Sequence, residues 1–256
     1  MVTIIKPSLR ENQYLLIRQL ANFIEDQWQL HLEPSPYDIP QNLGYVEGNL
    51  EGEKLIIENH CYQTTQFRKL HLELAKVGDR LDILHCVMFP RANYDLPIFG
   101  VDLVASKMGI GAAIVDLSPV NSDHLLPSSY RDFLQDLPQL DFSQPRALPE
   151  WGRIFSEFCL FVRPGDHDEE QLFFHRVQQY LTLHCQIALA KPQISSLVGK
   201  AQILLGQHYY CTQQQQNDKT RRVLEKSLGS TWTDRYMSQM LFDCPLNIEN
   251  YLNENY

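Results

Sequence analysis

His71, Glu73, His85 and Asp102 are the side chains whose types and spacing in this sequence can move protons. An imidazole titrates near neutral pH. A carboxyl group approaches that range when burial or a like charge disfavours its ionised form. An imidazole with two carboxyl groups on neighbouring strands, among apolar residues, would make a proton-handling pocket. The same residues also suit a half-exposed sheet face whose polar groups satisfy one another, because structural ion pairs gather titratable residues too.

The elements that must position them lie between residues 55 and 119. Residues 67–76 alternate, with Leu70, Leu72 and Leu74 pointing one way and Lys69, His71 and Glu73 the other. Gly78-Asp79 supplies turn chemistry, and residues 81–89 form the return strand, with Leu81, Ile83, His85, Val87 and Phe89 on one face. Beyond a turn region at 90–97, Ile98, Gly100, Asp102 and Val104 share a face; 107–109 is a further turn and 110–117 a further strand. A buried sheet face should be apolar throughout, so His85 and Asp102 stand out. Register decides whether these groups meet. A three-residue loop at 78–80 sets Val77 against Leu81 and Glu73 against His85; a two-residue loop would put Glu73 and His85 on opposite faces. The three-residue loop is the expectation, giving one face with His71, Glu73, His85 and Asp102.

The remaining chain reads as α+β. Residues 11–30 have helical periodicity, with Ile17, Leu20, Ile24 and Trp28 on one stripe, and a proline-punctuated link at 34–40 ends the helix. Strands run from about 44 to 119. Residues 121–149 read as a long surface connection with a short helix at 129–137. Residues 154–162 alternate as a strand, and their few charges suggest a central place in the sheet. Asp168 is the expected cap of a helix over 169–185, with Phe173, Val177, Tyr180 and His184 on a stripe. A helix at 194–213 follows Pro192. Asn217-Asp218 breaks the pattern before a basic run at 219–222, which leads into 223–228. Thr231 with Asp234 resembles a capping box ahead of a last helix in which Trp232, Tyr236 and Met240 line up; the tail from Asp243 reads as coil. Helix, many strands, then helices suggests an antiparallel sheet covered by helices.

With 256 residues and a net charge of -9, the chain can bury a core as one domain over 1–256 and does not suit general nucleic-acid binding. No apolar run approaches a membrane span, and residues 1–10 lack the apolar stretch of a signal peptide. Cys61, Cys86, Cys159, Cys185, Cys211 and Cys244 are scattered without a CxxC pair, which suggests reduced core thiols of a cytoplasmic protein. His208 and Cys211 have ligand-like spacing but no second pair. There is no phosphate loop and no nucleophile-elbow serine, and Gly109-Ile-Gly111 lacks the third glycine of a dinucleotide fingerprint. Redox chemistry here would need an external electron source or a bound organic pigment.

Longer motifs stand in a fixed order: Leu43-Gly-Tyr-Val-Glu-Gly48, Cys61-Tyr-Gln-Thr64, Phe67-Arg-Lys-Leu-His-Leu-Glu-Leu-Ala-Lys76 and Leu81-Asp-Ile-Leu-His-Cys-Val-Met-Phe-Pro90. Phe99-Gly-Val-Asp102, Trp151-Gly-Arg-Ile-Phe-Ser-Glu157, Asn217-Asp-Lys-Thr-Arg-Arg222 and Arg235-Tyr-Met-Ser-Gln239 follow. In these the chain strongly resembles the ferredoxin-dependent bilin reductases, and among them the members that form phycocyanobilin. The likeness runs from about residue 43 to 242. It is poor in the first thirty residues, around 121–145, and at 186–200.

The resemblance implies a three-layer α/β/α sandwich with a central antiparallel sheet, and biliverdin IXα held between the sheet and the C-terminal helices. It implies no bound metal, flavin or nicotinamide. Reduced ferredoxin of the plant [2Fe-2S] type would supply single electrons and the protein protons, with bilin radicals between them, in a monomeric enzyme. It also implies roles. Asp102 would be the central proton donor, His85 its relay partner, Glu73 the donor to the D-ring vinyl group, and His71 a support for the relay. Arg146 and Lys219 would pair with the propionates. Asn217 would sit where the C-terminal helices approach the bilin; relatives that make phycoerythrobilin carry an aspartate there. A phycoerythrobilin-type product and a non-catalytic bilin carrier remain alternatives. Plant-type ferredoxins are acidic, so docking on a chain of charge -9 needs a local basic patch; the candidates are Arg221, Arg222 and Lys226, with Arg68 and Lys76 from the sheet side.

Overall fold

The computed structural model describes residues 8–121 and 123–244. Among these residues six long strands carry the sheet: β2 (Tyr45–Leu50), β3 (Glu53–Gln63), β4 (Phe67–Val77), β5 (Leu81–Pro90), β6 (Ile98–Ser106) and β7 (Gly109–Ser118). Short β1 (Ser35–Pro36) and β8 (Leu160–Val162) complete it. Every pairing is antiparallel, in the order β1-β3-β4-β5-β6-β7-β8, and β2 also pairs with β3. Among the described residues six helices follow chain order: α1 (Leu15–His31), α2 (Ser128–Gln135), α3 (His167–Ala190), α4 (Leu197–Gln214), α5 (Asp218–Leu228) and α6 (Ser230–Tyr236). None of the described helices is long and apolar enough to cross a membrane.

Strand alternation divides the core in two. Leu70, Leu72, Leu74, Leu84, Cys86, Met88, Val101 and Leu103 pack against α1 and α3 through Ile17, Leu20, Ile24, Trp28, Phe173 and Val177. The opposite face sends Ala75, Val77, Val87, Phe89 and Ile98 against Tyr210, Leu224, Tyr236, Met240 and Phe242 of the C-terminal helical layer. Because β4 and β5 are covered on both sides, the polar groups of the second face lie inside the protein. Gly78, with φ of 48°, opens the three-residue loop that joins them, and Arg80 N closes it on Val77 O at 2.9 Å. The helical cover also needs a close approach. A Cβ at Gly206 of α4 would lie 1.8 Å from the Val120 carbonyl oxygen, so only glycine lets α4 sit there.

The structure corrects several element boundaries. The first helix is interrupted: a single 3-10 turn, Leu9–Asn12, precedes α1, and between them Gln13 Nε2 donates to Ala75 O (2.9 Å) and Ile83 O (3.2 Å). Satisfying the end of the sheet takes precedence there over helix continuity. The expected central strand at 154–162 is only β8, at the sheet edge. Residues Glu150–Ile154 form a 3-10 turn instead, and Ser156 is drawn onto buried Asp116, its N–H at 3.0 Å and its hydroxyl at 2.5 Å. Asp166, not Asp168, caps α3 by accepting from Glu169 N at 2.9 Å. Gly229, not Thr231, precedes α6; Thr231 lies within the helix and Asp234 pairs with Arg221 instead. The tail expectation lies largely outside the described residues, except Asp243 and Cys244.

Candidate active site

The register brings three titratable groups side by side. Glu73 pairs with His85 across β4 and β5, and His85 pairs with Asp102 across β5 and β6. All three therefore project from one face, the one covered by the C-terminal helices, and His71 joins them two residues along β4. His85 Nδ1 is 2.6 Å from Asp102 Oδ1. The His71 and His85 rings meet edge to face at 5.8 Å, and Phe242 stands edge-on to His85 at 5.6 Å. His85 Nε2 and His71 Nδ1 are buried with no hydrogen-bond partner among the described residues.

Two residues that the sequence reading did not single out as functional complete the cluster. Asn59 pairs with Glu73 across β3 and β4, and its Oδ1 lies 2.7 Å from His71 Nε2. The Tyr236 hydroxyl lies 2.6 Å from Glu73 Oε2 and 3.0 Å from Asn59 Oδ1, and its ring stacks on Trp232 at 4.7 Å. Asn59 is a lone amide on an alternating strand, and Tyr236 reads as part of an apolar stripe, so the only signal for Tyr236 was its place in the 235–239 motif. A β-bulge between Phe67 and Lys69 turns both Arg68 and Lys69 to this side. Fully buried Lys69 donates to Met240 O and, at 2.8 Å, to Asp243 Oδ1, while Arg68 reaches Asp243 Oδ2 at 2.6 Å. These pairs fasten the end of the described chain over the site.

Burial and neighbouring charge shift His71, Glu73 and His85 in different senses. Burial pulls the His71 imidazole well below its ordinary value, and the Lys69 and His85 charges add to the pull. Burial raises the Glu73 carboxyl, opposed by His85 and the Tyr236 hydroxyl and assisted by Asp102. His85 is also buried, which lowers it, but the charge and hydrogen bond of Asp102, with Glu73, outweigh burial and leave it raised. The Asp102 side chain keeps 43 % of its surface exposed against 10 % for His85, so the carboxylate is the member of the pair that a ligand would meet.

The other site candidates are more dispersed. Arg146 donates to Gly111 O at 2.7 Å and lies over the Phe161 ring, at the β8 edge of the sheet. Asn217 caps α5, accepting from Thr220 N at 3.3 Å, and Lys219 is exposed in the first turn of that helix. Arg221 pairs with Glu225 and Asp234, Arg222 with Asp218, and Lys226 with Glu51 at 3.3 Å. From the sheet side, Arg68 is committed to Asp243 and Lys76 to Asp82. His208 is exposed and Cys211 buried, so their spacing makes no ligand pair. Among the described residues no group of three or more His, Cys, Asp or Glu side chains is arranged to hold a metal ion.

Comparison with known proteins identifies the family. The family model for ferredoxin-dependent bilin reductases matches residues 21–243. The chain belongs to that family. It is 59% identical over 239 residues to the phycocyanobilin:ferredoxin oxidoreductase of Trichodesmium erythraeum, covering 93% of this chain and 97% of that protein. It is 54% identical over 238 residues to the Synechococcus elongatus protein of the same name, covering 93% and 96%. Among solved structures, phytochromobilin synthase from tomato in complex with biliverdin superposes with a TM-score of 0.75 at 18% identity, over 93% of this chain and 88% of that one. The bilin reductase fold, an antiparallel sheet between helical layers, is thus the fold of this chain. Ferredoxin, as the family description says, is the electron donor.

Proposed function

We propose that this chain reduces biliverdin IXα to phycocyanobilin, taking single electrons from reduced ferredoxin and protons from its own side chains. The observation that supports it most is the His85–Asp102 pair with Glu73 opposite His85, on one covered sheet face, in a chain whose near relatives are named for this reaction.

The chemistry follows from what each group can give. Reducing a vinyl group or a ring double bond takes two electrons and two protons. Each electron added to a neutral tetrapyrrole raises its basicity, so electron and proton arrivals are coupled and bilin radicals lie between them. Asp102, the more exposed partner, hydrogen-bonds the pyrrole and lactam groups and is the central donor. His85 behind it favours its protonated form and returns a proton to Asp102 along their hydrogen bond. Glu73, which burial biases towards its protonated form, serves the D-ring vinyl group, and His71, held neutral, orients the relay. Arg146 and Lys219, neither in an ion pair among the described residues, take the propionates. Asn217, at the start of α5, is the contact from the helical side.

Ferredoxin of the plant [2Fe-2S] type docks near Arg221, Arg222 and Lys226. The enzyme works as a monomer in the cytoplasm, with no bound cofactor; its six free cysteines suit a reducing compartment. Anaerobic turnover with biliverdin and reduced ferredoxin, followed by product chromatography, tests the reading. Phycocyanobilin is the expected product. A phycoerythrobilin-type product would move the chain to another branch of the family, and recovery of unreduced biliverdin would make it a carrier.

A further inference from the structure

Tyr236 approaches two oxygen atoms with one hydrogen to give. Its hydroxyl is 2.6 Å from Glu73 Oε2 and 3.0 Å from Asn59 Oδ1. The Asn59 amide is oriented by its other end, where Nδ2 donates to Leu43 O at 2.7 Å, so Oδ1 faces the cluster purely as an acceptor. That oxygen also lies 2.7 Å from His71 Nε2, which must therefore carry the His71 proton and leave Nδ1 as the free lone pair.

The hydrogen count then discriminates between the two forms of Glu73. With Glu73 ionised, Tyr236 can donate to Glu73 or to Asn59 but not both, and the remaining contact sets lone pairs against each other in a buried site. With Glu73 protonated on Oε2, the carboxyl donates to Tyr236, Tyr236 donates to Asn59, and every contact is a hydrogen bond. We infer that Asn59, acting through Tyr236, is a positioning residue that holds Glu73 as a neutral acid. This goes beyond the proposed function, on which it rests only for the use made of the Glu73 proton.

Groups facing Glu73 act in both senses. His71 and Lys69 share β4 with it, His85 faces it from β5, Asp102 from β6, Cys61 from β3 and Tyr236 from α6. His85 favours the carboxylate, as does the Tyr236 hydroxyl when it donates to Glu73, whereas burial and Asp102 favour the acid. Asn59 adds to the second side by giving Tyr236 a place to send its own hydrogen.

Infrared difference spectroscopy on the substrate-free protein tests this without reference to turnover. The wild-type spectrum minus that of Glu73→Gln should show a protonated carboxyl stretch at neutral pH. Tyr236→Phe, which keeps the ring stacked on Trp232, should move that band to higher frequency because the carboxyl hydrogen loses its acceptor. Asn59→Leu should shift the Glu73 ionisation equilibrium about tenfold towards the carboxylate, the size of one lost neutral hydrogen bond. The same substitution in a Tyr236→Phe background should leave that equilibrium unchanged. Absence of the band at neutral pH, or an unshifted band in Tyr236→Phe, overturns the inference, and neither depends on Asn59→Leu folding. If the spectra behave as expected while Glu73→Gln still reduces the vinyl group, the assignment of Glu73 as vinyl donor fails and the clamp stands.

Discussion

Glu73 and His85 face each other directly across β4 and β5 because the hairpin between them closes with three residues. One residue fewer would send them to opposite sides of the sheet. The pair sets a neutral-leaning acid beside a proton-leaning imidazole. Glu73→Gln keeps the size of the side chain and removes its acidic proton. The variant should bind biliverdin normally and lose vinyl reduction by a factor of about 100 or more, the usual weight of a general acid. Chromatography of the products would show it; phycocyanobilin formed at the wild-type rate would count against the assignment.

The cations at the start of α5 carry less free charge than the sequence suggests. Arg221 and Arg222 are each tied to acidic neighbours, and Lys226 to Glu51. Such exposed pairs contribute about 0–1 kcal/mol to stability, so reversing them should cost little in folding. Arg221→Glu with Arg222→Glu should slow ferredoxin-driven turnover at low salt and progressively less as the Debye length falls below about 8–10 Å. Biliverdin affinity and reduction by a small artificial reductant should be unchanged. Wild-type ferredoxin kinetics at low ionic strength would put the docking face elsewhere.

Asp243 neutralises a lysine with no exposed surface. Removing one partner of a buried pair leaves the other charge uncompensated, at a cost of about 3 kcal/mol. Asp243→Asn should therefore lower the denaturant midpoint, and Lys69→Met in the same chain should restore much of the loss. If Lys69→Met gives no recovery, the ion pair is not what fastens the segment around Asp243.

Much of this was legible in the sequence, and the limits are physical. Period-two alternation on both sides of Gly78 determines which side chains share a face, so the Glu73–His85–Asp102 row could be read from residues 67–104 alone. Asn59 and Tyr236 could not, because their contact joins segments 177 residues apart and depends on how α6 lies over the sheet. Residues 154–162 alternate like a strand, yet buried Asp116 takes the Ser156 N–H and hydroxyl and leaves only three residues to pair. Arg146 entered through family likeness alone; its segment carries no periodicity.

His184 gives the clearest dependence of stability on pH. Buried among Phe67, Phe99 and Tyr130, it is pulled from its ordinary 6.5 down to about 3. The folded protein keeps it neutral, whereas the unfolded chain protonates it below 6.5. Its contribution is therefore complete above that value and lost as the pH falls, at about 1.4 kcal/mol per pH unit. Buried His71 acts in the same sense. Urea unfolding of His184→Gln should show a shallower loss of stability between the ordinary value and about pH 5 than wild type, by that slope. Parallel profiles would mean that His184 is charged in the fold.

The central claim is that the protons come from the row of side chains around Asp102, and single turnover of Asp102→Asn tests it most directly. The amide keeps a hydrogen-bonding group 2.6 Å from His85 Nδ1 while removing the acid. Mixed anaerobically with biliverdin and reduced ferredoxin, the variant should take up one electron and stop. Stopped-flow spectra and electron paramagnetic resonance would then record a bilin radical lasting far longer than in wild type. Complete conversion to phycocyanobilin at the wild-type rate, with no persistent radical, would contradict the account.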